Sequence, residues 1–264
     1  MSLKFTEMGD RSTPAIVLVH GGGLSGWMWQ KQWEALSDYH LLIPDLPGHG
    51  RLYESPCVTV EEGAGLIADL IRQQTREGKA HVVGHSLGGM ILAHLLGTQP
   101  DLINRAVIAS AMFRPQRLSG LLYSRSMIKK SLQSMQQESG REKRLTFMAF
   151  PNDFYRDNYI REAKTHTVEL FEGIYGQLKA HTTLPRGLEK VETPTLVIAG
   201  EKEVKPIIQT VQDLTRALPN AAGCFVKNGK HTFPWENSTV FNTAIRSWLT
   251  GMTVDNPEII FLRR

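Results

Sequence analysis

The run Val82-Val83-Gly84-His85-Ser86-Leu87-Gly88-Gly89-Met90 constrains this chain more than any other. A short β-branched stretch enters a tight Gly-x-Ser-x-Gly turn, and a helix-forming pattern follows to about Gln99. A hydroxyl stands clear of the strand it leaves and the helix it enters only if the backbone turns sharply between them. Glycines two before and two after the serine keep Cβ atoms out of that crowded corner. The helix that begins after Ser86 aims free N–H groups and its positive dipole end at the place where an oxyanion would form. Ser86 is therefore a candidate nucleophile.

The rest of the chain supplies a frame for such a turn. Leu3 to Glu7 reads as an edge strand, and Ala15-Ile16-Val17-Leu18-Val19 as a parallel strand buried on both faces. The second ends in His20-Gly21-Gly22-Gly23, and a helix carrying Trp29, Trp33 and Leu36 on one face follows it. A strand over His40 to Leu46 comes next, then a Pro47-Gly48-His49-Gly50 loop. Here Asp45 is expected to fix the loop and His49 to serve structure. Thr59-Val60-Glu61-Glu62 has the form of a capping box and opens a helix to about Arg76. The strands Ala80 to Gly84 and Arg105 to Ser110 flank the serine helix. After an interruption, strand and helix resume with Thr195 to Ala199, Pro206 to Leu218, Gly223 to Val226 and Ser238 to Leu249. This alternation predicts an α/β fold: a mainly parallel sheet with helices on both faces.

From Met112 to about Pro185 no strand pattern is visible, and helical stretches broken at Gly140, Pro151 and Gly173 take over. The expected organisation is a first core part at 1–112, an inserted helical cap at 113–188 and a second core part with a tail at 189–264. Met127, Leu132, Met135, Phe147, Phe150, Phe154 and Tyr155 are the cap's large apolar residues, most of them for packing and a few for a pocket. The tail's Ile259-Ile260-Phe261-Leu262 is expected to pack on the body or on a second subunit, which leaves a homo-oligomer open.

Charge and cysteine usage narrow the function classes. Net charge is +4, and Phe113 to Pro185 alone holds 12 Lys and Arg against 7 Asp and Glu. A solvated helical surface accounts for that surplus, and attraction of anionic substrates is the sharper alternative. No nucleic-acid motif accompanies these charges. No apolar run reaches the roughly 18 residues of a membrane span. The opening Met-Ser-Leu-Lys-Phe-Thr-Glu-Met-Gly-Asp lacks the apolar stretch of a secretory signal. The two cysteines, Cys57 and Cys224, read as buried thiols of a cytoplasmic protein. No Cys/His cluster has metal-ligand spacing, and His20-Gly21-Gly22-Gly23 lacks the dinucleotide-binding spacing, so neither metal nor cofactor is expected.

A serine nucleophile needs a base, and the base needs an orienting partner. Of the 9 histidines, His231 follows the last core strand in Lys227-Asn228-Gly229-Lys230-His231, at the sheet edge where ligand-facing residues gather. His85, His94, His166 and His181 lie in or beside helices; His85 is expected to pack, and His20 to shape the glycine loop. His20-Gly21-Gly22-Gly23, Asp45-Leu46-Pro47-Gly48-His49-Gly50, Gly84-His85-Ser86-Leu87-Gly88-Gly89 and Gly229-Lys230-His231 occur in that order. In these motifs the chain resembles the cap-bearing, esterase-like α/β-hydrolases over about residues 15–111 and 190–250. The resemblance implies an oxyanion hole from the N–H groups of Leu87 and Gly22, with Gly23 as the alternative, and an acid between nucleophile and histidine in chain order. Where such proteins usually carry aspartate, Gly200-Glu201-Lys202-Glu203 offers Glu203, with Glu201 as the alternative. The implied activity is serine hydrolysis of a small-molecule carboxylic ester through an acyl-enzyme. A small-molecule receptor, a C–C bond hydrolase, a lactonase and an acyltransferase use the same framework and stay open.

Overall fold

The computed structural model describes residues 2–114, 124–137, 140, 142, 143, 148 and 150–263. Phe147 lies outside them, as does the side chain of Met135. One eight-stranded sheet organises the molecule, in the order β1-β3-β2-β4-β5-β6-β7-β8. Its inner strands are β2 (Ala15–Val19), β3 (His40–Asp45), β4 (Ala80–His85), β5 (Ile103–Ala109), β6 (Thr195–Gly200) and β7 (Ala221–Val226), parallel throughout. The edge strands β1 (Lys4–Met8) and β8 (Ile259–Phe261) run antiparallel to their neighbours. The apolar tail therefore packs on the body of its own chain, and Leu262 N–H adds a bond to Gly223 O at 2.8 Å.

Successive side chains of a strand face opposite ways, so each central strand feeds two cores. Val17 and Val19 of β2 join Val82 on one face, where α2 (Val60–Gln74), α3 (Leu87–Thr98) and α7 (Lys205–Ala217) pack. Ile16, Leu18 and Val83 point to the other, against Trp29, Phe241 and Ile245. That second face is covered by α1 (Gln30–Ala35) and α8 (Ser238–Leu249). The Thr59 capping box forms as the sequence predicts: its side chain accepts from Glu62 N–H, and the Glu62 carboxylate accepts from Thr59 N–H.

Between β5 and β6 the described elements are helices: α4 (Arg125–Gln136), α5 (Asp153–Ala163) and α6 (Val168–Ala180). Asn152 and Thr167 cap α5 and α6 by accepting from Tyr155 and Leu170 N–H groups. Arg125 ties α4 to α6 through Glu169 and Glu172. On the core side, Tyr155 of α5 is fully buried, and its hydroxyl accepts from Lys31 N–H at 3.1 Å. Glu162 of the same helix accepts from Trp27 Nε1–H at 2.7 Å. Among the segment's described basic residues, Arg125 and Arg156 pair with acids of the same segment, Glu169, Glu172 and Asp153, and Arg114 pairs with Asp213 outside it.

Candidate active site

Ser86 sits at the end of β4 with φ 54° and ψ −113°, a conformation that costs a non-glycine residue roughly 1–3 kcal/mol. Its surroundings over-determine it. A Cβ on Gly84 would lie 2.3 Å from Gly88 O, and one on Gly88 would lie 2.3 Å from Val19 O. Both glycines are thus demanded by backbone that no rotamer change can move. The Ser86 N–H is consumed by Ala109 O at 2.8 Å, whereas Leu87 opens α3, and its N–H has no carbonyl one turn back in the helix.

The glycine loop passes over this elbow, close enough that a Cβ on Gly21 would stand 3.3 Å from Ser86 Cβ. His20 shapes the loop as expected. Fully buried, it donates from Nδ1 to Gly21 O at 2.8 Å and accepts Leu46 N–H on Nε2 at 2.9 Å. Burial lowers its pKa, which keeps the ring neutral for that pair of roles. Gly21 N–H is turned to Met28 Sδ at 3.5 Å and Leu24 N–H to Gly21 O. Gly22 and Gly23 are left as the amides between them.

His231 meets Glu203. The ring's Nδ1–H donates to Glu203 Oε2 at 2.6 Å, which leaves Nε2 as the free nitrogen. Glu203 is wholly buried on its side chain, while the His231 side chain is 47% exposed. The other carboxylate oxygen, Oε1, accepts from Ser110 Oγ–H at 2.6 Å and Gly200 N–H at 2.9 Å. Burial works against the charge on Glu203, but the bonds from His231, Ser110 and Gly200 outweigh it and hold its pKa below the usual carboxylate value. Glu201 does something else: its Oε2 accepts Asn228 N–H at 2.8 Å and pins the loop after β7. Of the two glutamates, only Glu203 faces the imidazole.

His85 is buried and donates from Nε2 to His231 O at 3.0 Å, with the two rings 4.7 Å apart. Burial, reinforced by the His231 charge, pushes its pKa down to about 3, so it is a neutral strut. Asp45 fixes its loop as expected, accepting from Gly26 N–H, Arg51 N–H and Arg51 Nε. His49 is buried against His20, and burial lowers its pKa to about 3.

Ser86, His231 and Gly21 to Gly23 line one cavity of about 210 Å³. Its walls are mainly apolar: Leu24, Met148, Tyr159, Phe171 and Trp235, with His166. No Lys, Arg, Asp or Glu is among the described lining residues. Sequence reasoning singled out none of these wall residues. Of the apolar cap residues it named, Tyr155 packs on the core, Phe150 sits between Trp27 and Trp235, and Met127 is exposed. Ser110 was missed too, although it closes β5 at the sheet edge that carries the other polar groups.

The alpha/beta hydrolase family model matches residues 16–244. The chain belongs to the alpha/beta hydrolase family. One relative, the "Putative carbamate hydrolase RutD" of Pseudomonas syringae pv. syringae, is 28% identical over 250 residues, covering 90% of this chain and 94% of that protein. The pimeloyl-[acyl-carrier protein] methyl ester esterase of Vibrio campbellii is 36% identical over 107 residues, 39% of this chain and 40% of its own length. Among solved structures, MGS-M2, an alpha/beta hydrolase enzyme from a Medee basin deep-sea metagenome library, superposes with a TM-score of 0.75. It is 19% identical and covers 97% of this chain and 96% of its own, a likeness of fold alone. No described helix is long and apolar enough to cross a membrane.

Proposed function

We propose that the protein is a serine hydrolase that cleaves a small-molecule carboxylic ester through an acyl-enzyme. The observation that carries this reading is that His231, bonded to the buried Glu203, lines the same cavity as a strained, glycine-flanked Ser86. Ser86 Oγ attacks the acyl carbon while His231 Nε2 takes its proton, and Glu203 stabilises the resulting imidazolium. The N–H groups of Leu87 and Gly22 receive the oxyanion; Ser86 N–H cannot contribute, since Ala109 O occupies it. Collapse expels the alcohol, protonated by His231. A water then gives up a proton to His231 as it attacks the acyl carbon; the acyl–Oγ bond breaks, His231 returns the proton to Ser86 Oγ, and the acid leaves. The reaction calls on neither metal nor cofactor.

The apolar wall, whose described residues carry no Lys, Arg, Asp or Glu, favours a compact, neutral acyl group over the anionic one that the basic segment suggested. We assign residues 113–188 to a cap over the core, since α5 and α6 bring Tyr159 and Phe171 to the cavity. Ester hydrolysis by the Vibrio campbellii relative agrees with this chemistry. Two free thiols suit a reducing, cytoplasmic compartment. A fluorophosphonate probe should label Ser86, and Ser86→Ala should lose the label and at least about 10³-fold of its turnover on short neutral esters. Full turnover in that variant would end the proposal.

A further inference from the structure

We propose that a second cavity, at the seam between α5 and the core, binds a small organic carboxylate with an aromatic or apolar body, its oxygens bridging Arg51 and Arg161. The cavity holds about 460 Å³, within the roughly 300–1,000 Å³ of small-molecule sites. It shares no lining residue with the cavity at Ser86, so the proposal stands apart from the hydrolytic reading. Trp27, Trp33, Tyr53 and Phe154 supply aromatic walls.

The hydrogen bonds within the cavity decide the ligand's polarity. Its acceptors are already answered: Asp45 takes Gly26 N–H at 3.1 Å, Arg51 N–H at 3.1 Å and Arg51 Nε–H at 2.6 Å. Glu162 takes Trp27 Nε1–H at 2.7 Å and a bond from the Ser25 side chain. The donors are not used up. Arg51 spends Nε on Asp45 and Nη1 on Phe5 O at 3.2 Å, which leaves Nη2 over. Arg161 spends Nη2 on Asn158 Oδ1, and among the described residues Nε and Nη1 have no acceptor. A ligand that completes the site has to accept.

Both guanidiniums are also held from behind. Asp45, 5% exposed on its side chain, grips Arg51, and Asn158, itself buried and donating to Phe154 O at 2.7 Å, grips Arg161. Ordering two such forks in advance removes much of the entropy that anion binding otherwise costs, and the fork matches a carboxylate's two oxygens. Charge points the same way. Asp45 and Arg51 neutralise each other, and burial lifts the Glu162 carboxyl to about 7, so below that pH Arg161 is the uncompensated cation among the described lining residues. Arg51 comes from the core loop and Arg161 from α5, so the bridging ligand would also fasten the two together.

Titration of the full chain with 3-phenylpropionate, followed by ligand-observed NMR and thermal shift, tests this. Expected are saturable 1:1 binding, binding at least about tenfold tighter than that of the neutral 3-phenylpropanol, and a raised melting temperature. Arg161→Ala should weaken binding roughly ten- to a hundredfold, and Thr165→Trp, which fills the cavity, should abolish it. If the alanine variant folds poorly, Arg161→Lys keeps the charge without the fork and should still lose most of the affinity. Equal affinity for the alcohol, or binding unchanged in both the Arg161 variant and Thr165→Trp, overturns the site. Tighter binding of phenyl phosphate overturns the carboxylate as its ligand.

Discussion

In the proposed triad, Glu203 reaches His231 with one carboxylate oxygen while the other is anchored. Oε1 is fixed by Ser110 and Gly200, and this sets Oε2 against His231. Glu203→Gln should therefore lower kcat by about 10³–10⁴, as removal of a triad acid's charge does. Ser110→Ala should lower kcat on the order of tenfold with KM nearly unchanged, because it loosens the acid without touching the wall. It should also move the acidic limb of the pH–rate profile, since Ser110 helps hold Glu203 ionised. A Ser110→Ala enzyme with wild-type kcat and pH profile would remove that role. At this scale the sequence was informative for Ser86 and His231, whose placement follows from local turn chemistry. It put Glu203 ahead of Glu201 on the family resemblance alone, because both follow β6 and only the meeting with the β7 loop separates their partners.

Helix α5 is fastened to the core through Tyr155 and Glu162, and the Glu162 contact is expected to depend on proton concentration. Glu162 is buried against Trp27, and burial, together with the nearby Asp45 charge, raises its carboxyl from 4.5 to about 7 despite bonds from Ser25 and Trp27. The folded state thus binds this proton more tightly than the unfolded chain does. Stability contributed by the protonated carboxyl is full below about 4.5 and fades as pH rises through about 7. Measured against Glu162→Gln in thermal melts, which cancels the contribution of the histidines, the wild type should lose relative stability of at most roughly 3 kcal/mol as pH rises from 5 to 8. A wild type and variant whose melts change in parallel would place the pH dependence elsewhere. Elements themselves were legible where local signals were strong, as with Thr59 and Glu62. Strand β7 begins at Ala221, ahead of the expected Gly223, because pairing with Thr195 and Leu196 of β6 draws two alanines of weak strand preference into the sheet.

Across the whole molecule, neutral imidazoles are built into the core. His49 and His85 are each held near a pKa of about 3 by burial, and His20 is lowered as well. The unfolded chain takes up these protons near 6.5, so stability is full above that value and falls as pH drops from 6.5 towards 3. Acid unfolding monitored by circular dichroism should start within this window and bind more than one proton. A transition confined to below pH 3 would contradict it. The mainly parallel sheet and its two helix-covered faces could be read in advance from β2, β4 and their neighbours. The cavity wall could not, because Tyr159, Phe171 and Trp235 reach it from segments whose facing is decided only by docking.

Every group assigned to bond-making, from Gly22 through Ser86 and Ser110 to Glu203 and His231, comes from the sheet edge. The intervening helices lend only contour. Natural variation can consequently rewrite α5 and α6 to admit a different guest while the reactive apparatus stays in tune. Descendants of this chain would be expected to diverge first in diet, and last in chemistry.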